Sequence, residues 1–175
     1  MANALQTTEG KKSLSIRQTG SLLASGRPVI QFCTFWLANR LFGVDILDVR
    51  EINQEQKATP VFHAPPEVRG YVNIRGQVLL ALDLRVMLGF PPNQDATNTR
   101  LVVFKPEVGE SFGVVVDRVG DIVEATAEQI EEREVLGEEF QISQGKELIL
   151  GECKLTDKLV ILLNPSKFLS YLDKE

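Results

Sequence analysis

The sequence has few of the residues that chemistry most often uses. It contains one histidine, His63, and two cysteines, Cys33 and Cys153, which lie far apart without Cys-x-x-Cys spacing, so it encodes neither a zinc site nor a dithiol motif. A lone histidine beside Ala64-Pro65-Pro66 reads as a solvated loop residue. There is no Gly-x-Ser-x-Gly elbow, no phosphate-binding glycine loop before a Lys-Ser/Thr pair and no paired-histidine motif; neither catalysis nor a cofactor or metal is expected. No apolar run approaches the length of a membrane span, and Leu22-Leu23-Ala24 is too short for a signal-peptide core, so a soluble cytoplasmic protein is expected. Basic charge is not in excess either. The net charge is -5 and the pI about 5.1, whereas a general phosphate-backbone binder concentrates Lys and Arg on one face. Small barrels that bind single strands use exposed aromatics in basic grooves. Here Phe32, Phe35, Phe42, Phe104 and Phe112 occupy buried-type positions of an acidic body, so nucleic acid is not an expected partner.

Apolar residues make up 43% and charged residues 25%, enough for a packed core. Residues 1–28 are rich in Ser, Thr, Gln and Gly, cannot repay the entropy of ordering, and are expected to form a tail. From Val29 the chain is a series of short apolar runs of strand length, such as Ile30 to Leu37, Leu101 to Phe104 and Leu159 to Leu163. Both cysteines fall at alternating strand positions, which predicts core thiols. Asn39-Arg40, Arg75-Gly76 and Asp157-Lys158 separate pairs of runs by a few residues, as β-hairpins do.

The runs repeat. Phe42-Gly43-Val44 is followed by Val49, Glu51 and Ile52; Phe112-Gly113-Val114 is followed at the same offsets by Val119, Asp121 and Ile122. Gly70 to Asp83 aligns without gaps on Gly151 to Asn164, and both segments read as hairpins. Asp83 and Asn164 are helix N-caps by type, each leading into a short apolar stretch, the second through Pro165. The second copy carries extra chain between Ile122 and Gly151, including the acidic residues Glu131, Glu132, Glu134, Glu138 and Glu139. The expected class is mainly β: two lobes of about five short strands, each closed into a small barrel so that no sheet edge is exposed. The domain is expected over 29–175, with a first lobe mainly over 29–92, a second mainly over 98–164 and a C-terminal helix over 165–173. Pro91 to Asp95 reads as the connector.

Val49-Arg50-Glu51-Ile52, Gly70-Tyr71-Val72-Asn73-Ile74-Arg75-Gly76-Gln77-Val78, Asp83-Leu84-Arg85, Gly113 to Val119 and Leu159 to Asn164 form an ordered set that resembles the CheW-type coupling proteins of bacterial chemotaxis. The similarity covers Val29 to Leu172. It implies two five-stranded SH3-like barrels with chain ends shared across the lobes. It also implies an adaptor role, in which methyl-accepting chemoreceptor tips are coupled to the regulatory domain of a CheA-type histidine kinase. Alternating barrel pairs would close into rings with the kinase or with other copies. A pilus-motility or other chemosensory pathway is the second reading within the family.

By position, the resemblance assigns receptor contact to Val49, Glu51, Gly70, Arg75, Gly76, Val119 and Ile122, and kinase contact to Lys57, Ala58 and Thr59 beside Gln56. Receptor tips are helical hairpins, so the partner needs an apolar groove with a few charges that fix register. Val49 and Val119 occupy equivalent repeat positions, and a pseudo-symmetric packing of the lobes would bring them to one seam; ordinary core is the competing reading for each. Arg75 stands where a tight turn favours Gly or Asn, which points to charge-assisted contact with a partner, oriented by Glu51.

Overall fold

The computed structural model describes residues 25–95, 97–132 and 142–174. Most of the expected tail, together with Glu134, Glu138 and Glu139 of the acidic stretch, lies outside them. Among the described residues, eleven strands form two sheets. The first runs in the order β3 (Val49–Gln54), β6 (Arg100–Phe104), β7 (Phe112–Val116), β5 (Gln77–Asp83) and β4 (Val68–Ile74). The second runs β8 (Arg118–Ala125), β1 (Ile30–Leu37), β2 (Arg40–Asp45), β11 (Leu159–Leu163), β10 (Ile149–Lys154) and β9 (Ile130–Glu132).

In both sheets the two outer strands follow one another along the chain, and that closes the barrels. β8 and β9 are separated only by residues 126–129, a span of at most about 18 Å. β3 leads into Thr59, which exchanges backbone hydrogen bonds of 2.7 and 2.9 Å with Tyr71 on β4. Counted as one bent strand, β8 and β9 together do what β3 and Thr59 do, so each barrel is built of five bent strands. The closing strand crosses at a glycine in both copies. A Cβ on Gly70 would stand 2.2 Å from the Thr59 carbonyl oxygen, and one on Gly151 would stand 2.2 Å from that of Glu131.

The strands do not keep to the sequence halves. β3, β4 and β5 of 29–92 share one sheet, but β1 and β2 pair with strands of 98–164, while β6 and β7 cross the other way. β2 runs parallel to β11 with Phe42 opposite Ile161, and β7 runs parallel to β5 with Phe112 opposite Leu80. These two pairings are repeat equivalents, so each copy lends a hairpin to the other's barrel. The cause lies in the connections. The 3-10 turn Ile46–Asp48 and the single residue Asp117 are too short for a crossover within one sheet, which takes a dozen residues or more, so the chain passes directly to the neighbouring barrel.

The exchange produces three cores. Val72, Leu79, Leu101 and Val115 fill one barrel; Ile30, Phe32, Val160 and Leu162 fill the other. The opposite faces of the same strands, with Phe35, Phe42, Phe104, Phe112 and Phe168, pack between the barrels. Strands buried on both faces read as continuous apolar runs, which is why this sequence shows little alternation. Cys33 faces the shared core and Cys153 a barrel interior; both are free thiols. Burial raises the pKa of Cys33 and pushes that of Cys153 up to about 11.

Asp83 Oδ1 accepts the Val86 amide at 3.2 Å and starts α1 (Leu84–Met87). Asn164 Oδ1 accepts the Ser166 amide at 3.2 Å and starts a 3-10 turn, Pro165–Lys167. That turn leads into α2 (Phe168–Tyr171), so the helix expected over 165–173 consists of two short pieces.

Candidate protein-interaction surface

The β4–β5 turn holds the first determinant. Arg75 and Gly76 have φ of +51° and +83°, the left-handed pair that a two-residue hairpin needs, and Asn73 Oδ1 accepts the Gly76 amide at 2.8 Å. Nothing lies within 4 Å of a Cβ built on Gly76, so its φ and not its surroundings calls for glycine. The turn projects Arg75 outward, with 73% of its side chain exposed, and its Nη2 meets Glu51 Oε2. Arg50 Nη2 lies 3.2 Å from the other Glu51 oxygen and Arg50 Nη1 donates to Gln77 Oε1 at 2.6 Å. Glu51 and Asn53 stand opposite Val103 and Leu101, both barrel-interior residues, so both side chains turn toward the barrel mouth. Two guanidinium groups against one carboxylate leave this mouth net positive. A guanidinium has five N–H donors, so Arg75 keeps donors for a partner.

The apolar determinants lie on β3 and β8. Val49 is opposite Phe104 and Val119 opposite Phe35; Ile52 is opposite Val102 and Ile122 opposite Cys33. All four partners belong to the core between the barrels. The four residues therefore form two equivalent stretches of its rim. Val49 is half-buried and packs against that core, whereas Ile52, Val119 and Ile122 are 38%, 37% and 58% exposed. Register, not a shared strand, relates Val49 to Val119, because β3 and β8 belong to different sheets.

Val119 also lines an open groove at the second barrel's mouth with Trp36, Arg40, Arg118, Lys158 and Leu159. The Arg118 guanidinium lies 4.6 Å from the Trp36 ring centroid, a cation–π contact. Asp121 is the repeat equivalent of Glu51, but the equivalent of Arg75 is Thr156, which cannot form the same ion pair.

The remaining expected contacts lie where the first barrel closes. Gly70 is buried under Thr59, Ala58 packs against the first barrel's core, and Thr59 uses its backbone to pair with Tyr71. Of the residues assigned to kinase contact, Lys57 and Thr59 are exposed. Of the exposed apolar residues, sequence reasoning assigned Val119 and Ile122 to contact but not Ile52, Phe62, Tyr71, Val78 or Leu159. Ile52 was open to inference from Ile122 through the repeat, but Phe62, 91% exposed on the loop after Thr59, has no counterpart to flag it.

Among the described residues no group of His, Cys, Asp and Glu is placed to hold a metal ion, and no helix is long and apolar enough to cross a membrane. Two small closed barrels around a common core, with charge on one mouth and apolar side chains along the rim, define a surface for gripping other proteins. The family model for the CheW-like domain matches residues 31–173, and the chain belongs to the CheW family. It is 33% identical over 153 residues to a chemotaxis protein CheW of Klebsiella aerogenes, covering 87% of this chain and 89% of that protein. It is 25% identical over 150 residues to the chemotaxis protein CheW of Helicobacter pylori, covering 86% and 87%. The crystal structure of the scaffolding protein TtCheW from Thermoanaerobacter tengcongensis has the same fold, with a TM-score of 0.67 at 24% identity over 77% of this chain and 88% of that one.

Proposed function

We propose that this chain is a non-enzymatic adaptor of bacterial chemotaxis that couples chemoreceptor tips to a CheA-type histidine kinase. The observation that carries the proposal is the uncovered rim of the core between the barrels: Ile52, Val119 and Ile122 stand one strand outside that core and remain exposed. A helical hairpin laid along such a rim buries its apolar face, and the Arg75–Glu51 pair at the barrel mouth supplies a charge that fixes its register. Val49 is assigned a supporting role beneath the rim. Kinase contact is assigned to the loop carrying Lys57 and Thr59. The relatives named chemotaxis proteins favour chemotaxis over a pilus-motility pathway. A cytoplasmic place beside membrane receptors follows from these partners.

Mixing the protein with a receptor signalling fragment and a CheA-type kinase, then following kinase autophosphorylation, tests the proposal. Receptor-dependent activation that requires this chain is expected. A folded sample that leaves kinase activity unchanged and is not captured by the receptor fragment refutes it. The Arg75→Glu variant separates the determinants: receptor capture should fall while the circular dichroism spectrum and unfolding midpoint stay near those of the parent protein.

A further inference from the structure

The apolar rim continues past Val119 into the open groove at the second barrel's mouth, a concavity of about 610 Å³. The lining joins the two. Val119 pairs with Phe35, and Ile161 belongs to the core between the barrels, whereas Leu41 belongs to the second barrel's own core and Trp36 packs against it. One depression thus runs from rim to barrel mouth, with room for several side chains of a partner.

The charge of this depression opposes that of the chain. Arg40, Arg118 and Lys158 accompany the single carboxylate of Asp121, in a chain whose net charge is -5. With Thr156 in the place of Arg75, the second mouth draws cations from other positions: Arg118 from β8 and Lys158 from the β10–β11 turn. Neither Arg118 nor Lys158 has a carboxylate partner among the described residues. Register holds Arg118 in place, since it pairs directly with Trp36 and its guanidinium lies over the indole, 4.6 Å from the centroid. Contact with an aromatic ring engages the face of a guanidinium and leaves its N–H edge for a carboxylate. Val119 and Leu159, each 37% exposed, supply apolar surface next to these cations. Both stretches of the rim therefore carry cationic charge: Glu51 and its two arginines sit on β3 between Val49 and Ile52, and Arg118 precedes Val119 on β8.

Building on the adaptor reading of the rim, we infer that the receptor hairpin carries carboxylates beside its apolar stripe, and that Arg118 and Lys158 bind them at the second barrel's mouth. Trp36 and Leu159 hold the adjoining apolar side chains. The groove is thus a second charged anchor for the same partner, independent of Arg75.

Trp36 is the chain's single tryptophan, so its fluorescence reads the groove without a label. Titrating the full chain with a tryptophan-free receptor signalling fragment should change Trp36 emission saturably. Combining Arg118→Gln with Lys158→Gln should slow association at least about threefold and flatten its dependence on salt, as loss of a rim charge does. Combining Arg118→Lys with Lys158→Arg keeps both charges and should recover the salt dependence of the parent protein. Trp36 emission unchanged on binding, parent-like association of the glutamine variant, or an equally flat salt dependence in the charge-keeping variant overturns the inference. In each of those cases the unaltered chain still captures the fragment, and the adaptor proposal stands. A fragment that the unaltered chain does not capture at all overturns both.

Discussion

At the scale of single residues, Arg75 combines a conformational cost with an exposed charge. A non-glycine residue in the left-handed region costs about 1 kcal/mol, and an ion pair whose arginine end is mostly in solvent returns only about as much, although its Glu51 end is largely buried. Stability alone therefore does not explain arginine at φ +51°. Arg75→Asn keeps a side chain that tolerates this φ, so its unfolding midpoint should match or exceed that of the parent protein while receptor capture drops. A parallel loss of stability and capture would mean that the arginine serves the fold. The sequence marked Arg75 because a cation occupied a turn position, and it suggested Glu51 as the orienting partner; the inward turn of Glu51 follows from β3 register. The two thiols make a second prediction. Raised pKa values disfavour the thiolate, so iodoacetamide at pH 8 should modify native Cys33 and Cys153 far more slowly than the unfolded chain. For Cys153 the linked stabilisation is intact below the unfolded thiol's pKa, near 8.5–9, and is lost as pH rises through about 11. A denaturation series should show stability declining across that window.

At the scale of elements, the crossing of the closing strands governs both barrels. Gly70→Ala and Gly151→Ala each force a methyl group to within 2.2 Å of a backbone carbonyl oxygen, and each should cost about 2–4 kcal/mol in urea denaturation. Gly76→Ala meets open space and should cost only about 1 kcal/mol, through its φ. Equal losses at the three sites would argue against closure of the barrels at Gly70 and Gly151. Strand runs, hairpin turns and the caps at Asp83 and Asn164 were legible in the sequence because each rests on local chemistry: apolar runs, turn residues and a side-chain acceptor before a helix. β9 was not. Ile130, Glu131 and Glu132 carry no strand pattern, and only pairing with β10 at Gly151 makes them extended. The rim was half legible: the repeat set Val119 and Ile122 level with Val49 and Ile52, but exposure depends on which strands flank the core.

At the scale of the whole molecule, the exchange of hairpins is the feature that a duplicated sequence conceals. Two equivalent copies offer β2 equivalent partners in β5 and β11, and propensity cannot choose between them. The short passages at residues 46–48 and at Asp117 decide. Asp117 also clasps the crossing point: its carboxylate accepts the Ala38 amide at 3.0 Å and Arg85 Nη1 at 2.9 Å, tying the β1–β2 turn to α1. A proteolytic cut in the Gln94–Thr97 stretch should therefore leave both fragments together on gel filtration, and separately expressed halves should each lack native circular dichroism until mixed. Halves that fold alone would contradict the exchange. Because each barrel takes strands from both halves of the chain and one core packs between them, the angle between the Arg75 mouth and the β8 rim is set by continuous backbone. A protein twisting one end of this molecule turns the other with it, as a rigid strut transmits torque between its fittings.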